Sequence, residues 1–313
     1  MAREGALLNG NLPLTQSTKG NPRLAQTPIG TPITGPHRAR IRHTAVNAPF
    51  SFRHESVSLA VNIDIGRLMA VKIIHCAPGI SDGDKIDAFK REVEALSTLR
   101  HHHIAEYIGS QGFRGPRLEI FMGFKQGSLR SLVENASIGV APAINHAIYD
   151  VALHQMLQAI DYLAMLGIVH RDLKPESIFF SSDSQTYRFQ LGDFGSCTKA
   201  GIATPTVGSF LYMAPEAGNG IPTHGLDVWA LYVTIIWAMD MCQFRTFSHE
   251  FVSSVQVHEW IFKMIPEQEP ISQIREMANP DPSERASAAQ MLVEVYNGQG
   301  LVSTWTAPGP TAG

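Results

Sequence analysis

The sequence has few cysteines, little net charge and no long apolar run, and each shortage argues against a class of protein. Its 313 residues include three cysteines, Cys76, Cys197 and Cys242, which are too few and too far apart for a disulfide framework or a C-x-x-C metal site. This usage is typical of a reducing compartment, and we expect a cytoplasmic or nuclear protein. A formal net charge of −3 supplies no field that would attract nucleic acid or anionic lipid, so we expect neither as a partner.

The most apolar stretch, VWALYVTIIWAM at positions 228–239, is too short to cross a bilayer. It lies between Asp227 and Asp240, whereas a membrane-spanning helix needs roughly 20 apolar residues. We therefore predict a buried helix. The first residues carry no apolar segment behind a charged start, which argues against a secretory signal, while scattered arginines with few acids leave a transit peptide as an alternative.

Glycine and apolar periodicity divide the chain into three parts. Residues 1–49 are rich in Pro, Gly, Thr and Asn and show no sustained apolar period, so they predict a flexible tail. Residues 50–298 predict one folded domain, and 299–313 a second flexible tail. No glycine occurs between Gly35 and Gly66, so the segment before the first apolar alternation cannot form a glycine-rich loop.

Patterns within the domain predict an α+β fold with two lobes. Alternating apolar residues from Val57 to Ile63, a turn at 64–66 and a second apolar run predict a β-hairpin. Residues 81–100 have helical spacing with Asp82 or Asp84 as the cap, and 117–124 resemble a strand. Further helices are predicted over 128–135, over 145–170 and beyond residue 216, with short strands near 186–192. A small β-rich lobe (about 50–122) should thus precede a larger helical lobe (about 127–298).

Four charged residues stand next to predicted rigid elements in a pattern suited to phosphate chemistry. Lys72 lies on a strand and needs a counter-charge, which Glu92 on the following helix can supply while the ammonium stays available to phosphate oxygens. Asp172, in a loop, can accept the proton of a hydroxyl nucleophile. Asp193, which follows a strand, can hold Mg²⁺, a cation that prefers oxygen ligands.

The motifs around these residues resemble the eukaryotic protein kinase family, of the Ser/Thr type, over roughly residues 56–296. They occur in the family's order: MAVKII, REVEALSTLRHHHI, HRDLKPES, GDFG, VGSFLYMAPE, DVWAL and DPSERASA. The resemblance implies a two-lobed kinase fold, ATP and Mg²⁺ in the cleft between the lobes, and protein substrates that carry Ser or Thr.

The resemblance also implies a role for individual residues. Lys72 and Glu92 would hold the phosphates, Asp172 would be the catalytic base, Lys174 would contact the migrating phosphoryl group and Asp193 would bind the metal. The nucleotide-binding residues would be Val57, Ala70, Lys72, Met122, Gly123, Phe124, Lys125, Phe179 and Asp193.

Other positions would support these roles. Glu216 should pair with Arg285, Asp227 should brace the catalytic loop (residues 170–177), and Arg171 should bind a phosphate on the activation segment (residues 193–216). Candidate phosphorylation sites are Thr198, Thr204, Thr206 and Ser209, the last of which more often has a structural role.

Two departures from the family pattern leave alternatives open. Ser177 stands where the family has Asn and would be a weaker ligand for a second Mg²⁺. SFRHES occupies the place of the glycine-rich loop, so backbone N–H groups would approach the phosphates less closely. The chain would then be an active kinase, a pseudokinase that acts as a binding module, or a version that has lost its first strand and glycine loop.

Substrate selection is less defined by the sequence. Glu176, in the catalytic loop, would favour a basic residue near the acceptor. Ser128, which stands in place of an acid, argues against strong selection for arginine.

Overall fold

A computed structural model describes residues 41–52, 55–76, 83–113, 116–140, 144–183, 186–265 and 270–304. Its strands are β1 (Ile41–Phe52), β2 (Glu55–Asn62), β3 (Arg67–His75), β4 (Tyr107–Gln111), β5 (Arg117–Gly123), β6 (Gly127–Ser128), β7 (Ile168–Val169), β8 (Ile178–Ser182), β9 (Tyr187–Leu191) and β10 (Thr198–Lys199). Its α-helices are α1 (Gly83–Thr98), α2 (Leu129–Ser137), α3 (His146–Met165), α4 (Gly225–Met239), α5 (Phe244–Phe247), α6 (Ser254–Met264) and α7 (Ala288–Tyr296).

The small lobe is an antiparallel sheet with α1 packed against it. The strand order is β1-β2-β3-β5-β4 in a sheet of five strands. The predicted hairpin is present as β2 and β3, which pair from Glu55 opposite Ile74 to Asn62 opposite Arg67. Gly66 closes its turn with φ of 67°, a conformation that a residue without Cβ adopts at little cost. The predicted two-lobed α+β fold is confirmed.

The predicted first tail is wrong from Ile41 onward, because Ile41–Phe52 forms β1 and pairs with β2. β1 is at the edge of the sheet, and backbone hydrogen bonds to β2 along one side hold it there without a regular apolar alternation. The pairing is irregular, with register shifts between His43 and Asn47 and between Asn47 and Ser51, which agrees with the weak side-chain pattern. A strand therefore stands beside β2. Residues 1–40 lie outside the described residues.

The predicted helix over 81–100 is present as α1, Gly83–Thr98. Phe89 and Leu96 on its inner face are fully buried in the same cluster as Ile120 of β5. Of the two predicted caps, Asp82 lies outside the described residues and Asp84 lies within the helix. The sequence patterns above predict no element at β4, whose pairing with β5 is interrupted by a register shift between Tyr107 and Gly109.

The large lobe is built around two apolar helices. α3 corresponds to the predicted long helix and is capped by Asn145, whose side chain accepts a hydrogen bond from the Ile148 N–H. The apolar run forms α4, in which every residue from Val228 to Ala238 is buried, as predicted. Among the described residues no single helix is long and apolar enough to span a membrane; α4 and Met241–Glu250 meet that criterion only jointly, across a bend of 101°.

The second predicted tail is wrong for residues 299–304, which are attached to α3. The buried Asp161 carboxylate accepts hydrogen bonds from the Val302 N–H at 2.8 Å and the Ser303 N–H at 3.0 Å. A buried carboxylate requires such donors, so it fixes a segment whose own sequence carries no structural pattern. His154 adds a ring stack on Tyr296, with centroids 4.1 Å apart. Residues 305–313 lie outside the described residues.

We predict that His101 makes the stability of the fold depend on pH. Its ring stacks on Tyr162, with centroids 4.9 Å apart, and burial followed by the neighbouring His103 and His102 lowers its pKa to about 4. Because the folded state favours the neutral ring, its contribution is complete above the unfolded value of about 6.5 and is lost as pH falls from about 6.5 to about 4.

Thermal denaturation between pH 7.5 and 4 measures this effect. His101→Asn should flatten the dependence of Tm on pH only partly. Some dependence should remain, because burial also lowers the pKa of His103. His75→Asn, at an exposed position, is the matched control and should leave the slope unchanged. An unaltered slope in His101→Asn would contradict the prediction.

Candidate active site

The structure brings Lys72, Glu92 and Asp193 together at the junction of the two lobes. β3 directs Lys72 toward α1, and its Nζ lies 2.8 Å from Glu92 Oε2 and 2.8 Å from Asp193 Oδ1. Lys72 and Glu92 are buried, whereas the Asp193 side chain is 39% exposed. Three residues that are distant in sequence thus form one charged cluster, in which the ammonium stands between two carboxylates.

Asp193 is held so that its carboxylate stays ionised. The Lys72 charge, and next its hydrogen bond, outweigh desolvation and lower the Asp193 pKa to about 2. Its backbone is left-handed, with φ of 62°, and Phe194 behind it is fully buried against the His170 ring, with centroids 4.9 Å apart. Arg91 of α1 donates its Nε–H to the Gly195 carbonyl at 3.2 Å, which ties this motif to the small lobe.

Asp172 lies in a second polar cluster with Lys174 and Ser209. Lys174 Nζ is 2.6 Å from Asp172 Oδ2, and the Ser209 N–H and hydroxyl donate to Asp172 Oδ1 at 3.1 and 3.2 Å. Lys174 also donates to Ser209 Oγ at 3.1 Å. An ionised carboxylate can only accept hydrogen bonds, so this cluster presents a fixed proton acceptor with a cation beside it.

Asp227 of α4 fixes the loop that carries Asp172, as expected. Its carboxylate accepts hydrogen bonds from the His170 N–H at 2.7 Å and the Arg171 N–H at 2.9 Å. Burial raises the Asp227 pKa, and these donors oppose that rise. His170 Nε2 is 2.9 Å from the Gly192 carbonyl, which links the catalytic loop to the strand before Asp193.

A family model described as "Protein kinase domain" matches residues 54–297. The chain belongs to the protein kinase family. Among its relatives are serine/threonine-protein kinase SSK22 of Saccharomyces cerevisiae, 26% identical over 76% of this chain, mitogen-activated protein kinase kinase kinase A of Dictyostelium discoideum, 30% over 76%, and mitogen-activated protein kinase kinase kinase 3 of Arabidopsis thaliana, 28% over 75%. The kinase spans 20%, 26% and 38% of their respective lengths.

Four of the predicted nucleotide-binding residues, Val57, Ala70, Lys72 and Met122, share one face of the small sheet. Val57 pairs with Lys72, and Ala70 pairs with Met122, so these side chains share the face that carries the lysine. Gly123 ends β5, and Phe124 and Lys125 follow it. The resemblance assigns contacts with the base to backbone groups of this segment, and that role stays a prediction.

Phe179 of β8, a predicted nucleotide-binding residue, lies against Gly192. A Cβ at position 192 would lie 2.4 Å from Phe179 Cε2, much closer than atoms pack. Glycine at 192 therefore makes room for an aromatic ring at 179. The sequence showed both residues but not that one accommodates the other.

Glu106 lies beside Gly123 at the end of β5, and the sequence patterns gave no sign of it. A Cβ on Gly123 would lie 2.8 Å from Glu106 Oε2, so this carboxylate occupies the space of the absent side chain. Arg67 pairs with it at 2.6 Å. Glu106 precedes β4, and only the pairing of β4 with β5 brings it to Gly123.

Ser177 closes the catalytic loop with its hydroxyl. Its Oγ donates to the Lys174 carbonyl at 2.9 Å and accepts from the Lys174 N–H at 3.0 Å, and the residue is buried. The hydroxyl proton is therefore used within the loop. The Asp193 carboxylate suits a hard cation such as Mg²⁺, while Ser177 contributes at most an oxygen lone pair, and its role as a metal ligand stays a prediction.

The activation segment is fixed by two arginines. Arg171 donates Nε–H to the Ser196 carbonyl at 2.7 Å and Nη1–H to Thr204 Oγ1 at 2.6 Å. Arg285 pairs with Glu216 through two hydrogen bonds of 2.5 and 2.8 Å, the predicted pair. A pocket that is partly open to solvent lies along this segment and is lined by Asp172, Thr204 and Ser209 among others.

Proposed function

We propose that the chain is a protein serine/threonine kinase that transfers the γ-phosphoryl group of ATP to protein hydroxyls. The observation that carries the proposal is the Asp172, Lys174 and Ser209 cluster beside the catalytic loop. It provides a proton acceptor and a cation for the acceptor hydroxyl. The Lys72, Glu92 and Asp193 cluster provides the charges for the nucleotide. Serine/threonine kinases among the relatives support the same class of acceptor.

Each residue would act through position and charge. Asp172 would orient the acceptor hydroxyl and accept its proton. Lys174 would neutralise negative charge near the transferred group, and Lys72, positioned by Glu92, would contact phosphate oxygens. Asp193 would hold Mg²⁺, which supplies charge neutralisation at the phosphates when bound.

A second candidate is a pseudokinase that binds partners without efficient transfer. Two observations favour it. The Ser177 hydroxyl donates its hydrogen bond to the Lys174 carbonyl within the catalytic loop. The connection between β1 and β2, where Phe52 pairs with Glu55, contains no glycine. The ion pairs described above favour the enzyme. We propose a cytoplasmic or nuclear location for either form, since its three cysteines are free.

Phosphate transfer and nucleotide binding, measured separately, distinguish the two candidates. Transfer from γ-labelled ATP to a generic protein substrate is measured with and without Mg²⁺, beside Asp193→Ala as the inactive control. A fluorescent ATP analogue reports binding. Mg²⁺-dependent transfer that Asp193→Ala lacks is the result expected of the enzyme. Binding with transfer equal to that control would establish the pseudokinase.

We predict that Thr204 is the phosphorylation site that raises activity. It contacts Arg171 directly, and a phosphate there would form new charge-assisted hydrogen bonds with the guanidinium, fixing the segment next to Asp172. Of the alternatives, Ser209 is engaged with Asp172. We expect phosphorylation to raise kcat/KM by about tenfold, a free energy of about 1.4 kcal/mol.

Mass spectrometry of phosphorylated protein together with kinetics tests this. Thr204→Ala should lose the increase, whereas Thr206→Ala, whose hydroxyl contacts the Ala217 carbonyl instead, should retain it. An increase that persists in Thr204→Ala would exclude this site.

A further inference from the structure

The first turn of α2 lies directly against the catalytic loop. The Arg130 N–H donates to the Pro175 carbonyl at 3.1 Å, which joins the two backbones. Arg130 Nη1 then donates to Glu176 Oε1 at 2.6 Å. The carboxylate in the loop that carries Asp172 therefore already has a guanidinium partner from the kinase itself.

Two further contacts hold this guanidinium in place. Arg130 Nε donates to Glu134 Oε1 at 2.8 Å, one turn along α2, and the guanidinium carbon lies 5.5 Å from the centre of the Trp237 ring. A salt bridge combined with a cation–π contact restrains a side chain more than either alone. Displacing Arg130 would therefore require the loss of several favourable interactions at once.

Glu176 has no second position to offer an incoming cation. Its side chain is 19% exposed, and its other oxygen, Oε2, is buried and accepts no hydrogen bond within the described part of the chain. Of the two carboxylate oxygens, Oε1 is the one in a salt bridge, and its partner is Arg130. A basic side chain from a substrate would have to compete for the same oxygen.

Glu176 is also close enough to the acceptor site to influence a substrate. Both it and Asp172 belong to the catalytic loop, where they stand four residues apart in the sequence. A carboxylate in this position would attract a cationic residue near the phosphorylated Ser or Thr. In this chain that attraction is already satisfied internally.

We propose that Arg130 closes the subsite in which Glu176 would bind a basic residue of a substrate, so that the enzyme does not select basic residues beside its acceptor. The proposal rests on the proposed kinase function for its biological meaning. Its physical content is a binding subsite that removal of Arg130 opens. That content is testable by peptide binding without phosphate transfer.

The test measures peptide binding to the full chain by fluorescence anisotropy, without ATP. The probes are a neutral serine peptide and four versions with a single Arg at each of the four positions before the serine. Wild type should bind all five peptides with affinities within about twofold of one another, because Arg130 already pairs with the Glu176 carboxylate. Arg130→Ala should bind at least one arginine version about tenfold more tightly than the neutral peptide, because Glu176 is then available.

Matched variants separate the subsite from general effects. Glu134→Gln removes the other partner of Arg130 but leaves Glu176 paired, so it should behave as wild type. The double variant Arg130→Ala/Glu176→Gln should lose the gain. Arg130→Met keeps an apolar side chain beside Trp237 and should show a smaller gain in affinity for the arginine peptide. It replaces Arg130→Ala in the test if that variant fails to fold.

The outcomes also separate this proposal from the proposed function. Wild type that already prefers an arginine peptide by tenfold, or open variants that show no gain, would overturn the closed subsite, and so would a complete lack of peptide binding. A gain in binding with no phosphate transfer in any variant would support the subsite and count against the enzyme. Transfer with the same gain in kcat/KM for arginine peptides would support both.

Discussion

Asp172→Asn is expected to reduce phosphate transfer by about 10²–10⁴-fold, the usual contribution of a positioned general base. The amide keeps the shape of the carboxylate and can still accept a hydrogen bond from the Ser209 N–H. It cannot take up a proton, and it loses the ion pair with Lys174. Nucleotide binding should be unchanged, since Lys72 pairs with Glu92 and Asp193 and not with Asp172.

Initial rates of transfer and titration with a fluorescent ATP analogue measure the two effects. Asp87→Asn is the matched control, because this aspartate is exposed on α1 and pairs only with the neighbouring Lys90 among the described contacts. It should keep full activity. If Asp172→Asn kept more than a tenth of the wild-type rate, Asp172 would not be the catalytic base.

Lys72→Met is expected to abolish nucleotide binding and also to destabilise the fold. The substitution removes the ammonium from between two carboxylates. Glu92 is buried and loses this partner, and breaking a buried ion pair costs about 3–5 kcal/mol. Asp193 is partly exposed and should contribute less to the loss.

A double variant separates stability from binding. In Lys72→Met/Glu92→Leu both buried charges are absent, and replacing a buried pair by apolar groups is often close to neutral. Urea denaturation should therefore show most of the stability restored, while nucleotide binding stays lost. Equal stability of wild type and Lys72→Met would show that the pair does not support the fold.

The sequence was sufficient for the order of the main elements because its strongest patterns are local. The alternation in β2 and β3, the apolar run of α4 and the motifs around Lys72 and Asp193 each identify an element without tertiary information. The charged clusters followed from the motif order. Their distances, and the bracing of the catalytic loop by Asp227, required the structure.

The missed features depend on partners that are remote in the chain. β1 is a strand because β2 supplies its hydrogen bonds, and residues 299–304 are attached because Asp161 lies buried more than a hundred residues earlier. Arg130 and Glu176 look like ordinary charges in the sequence, and only their 2.6 Å contact shows that they neutralise each other. Patterns of two or four residues cannot carry such information.

The predicted place of Phe179 in the nucleotide site has a consequence for chemical inhibitors. Its ring lies where a Cβ of residue 192 would stand, and in the predicted site the ring would offer an aromatic face to a ligand. Planar heteroaromatic compounds should stack there favourably. Compounds with a bulky substituent directed at this point should collide with the ring. Such compounds should therefore bind more tightly to a kinase that has a smaller residue at this position.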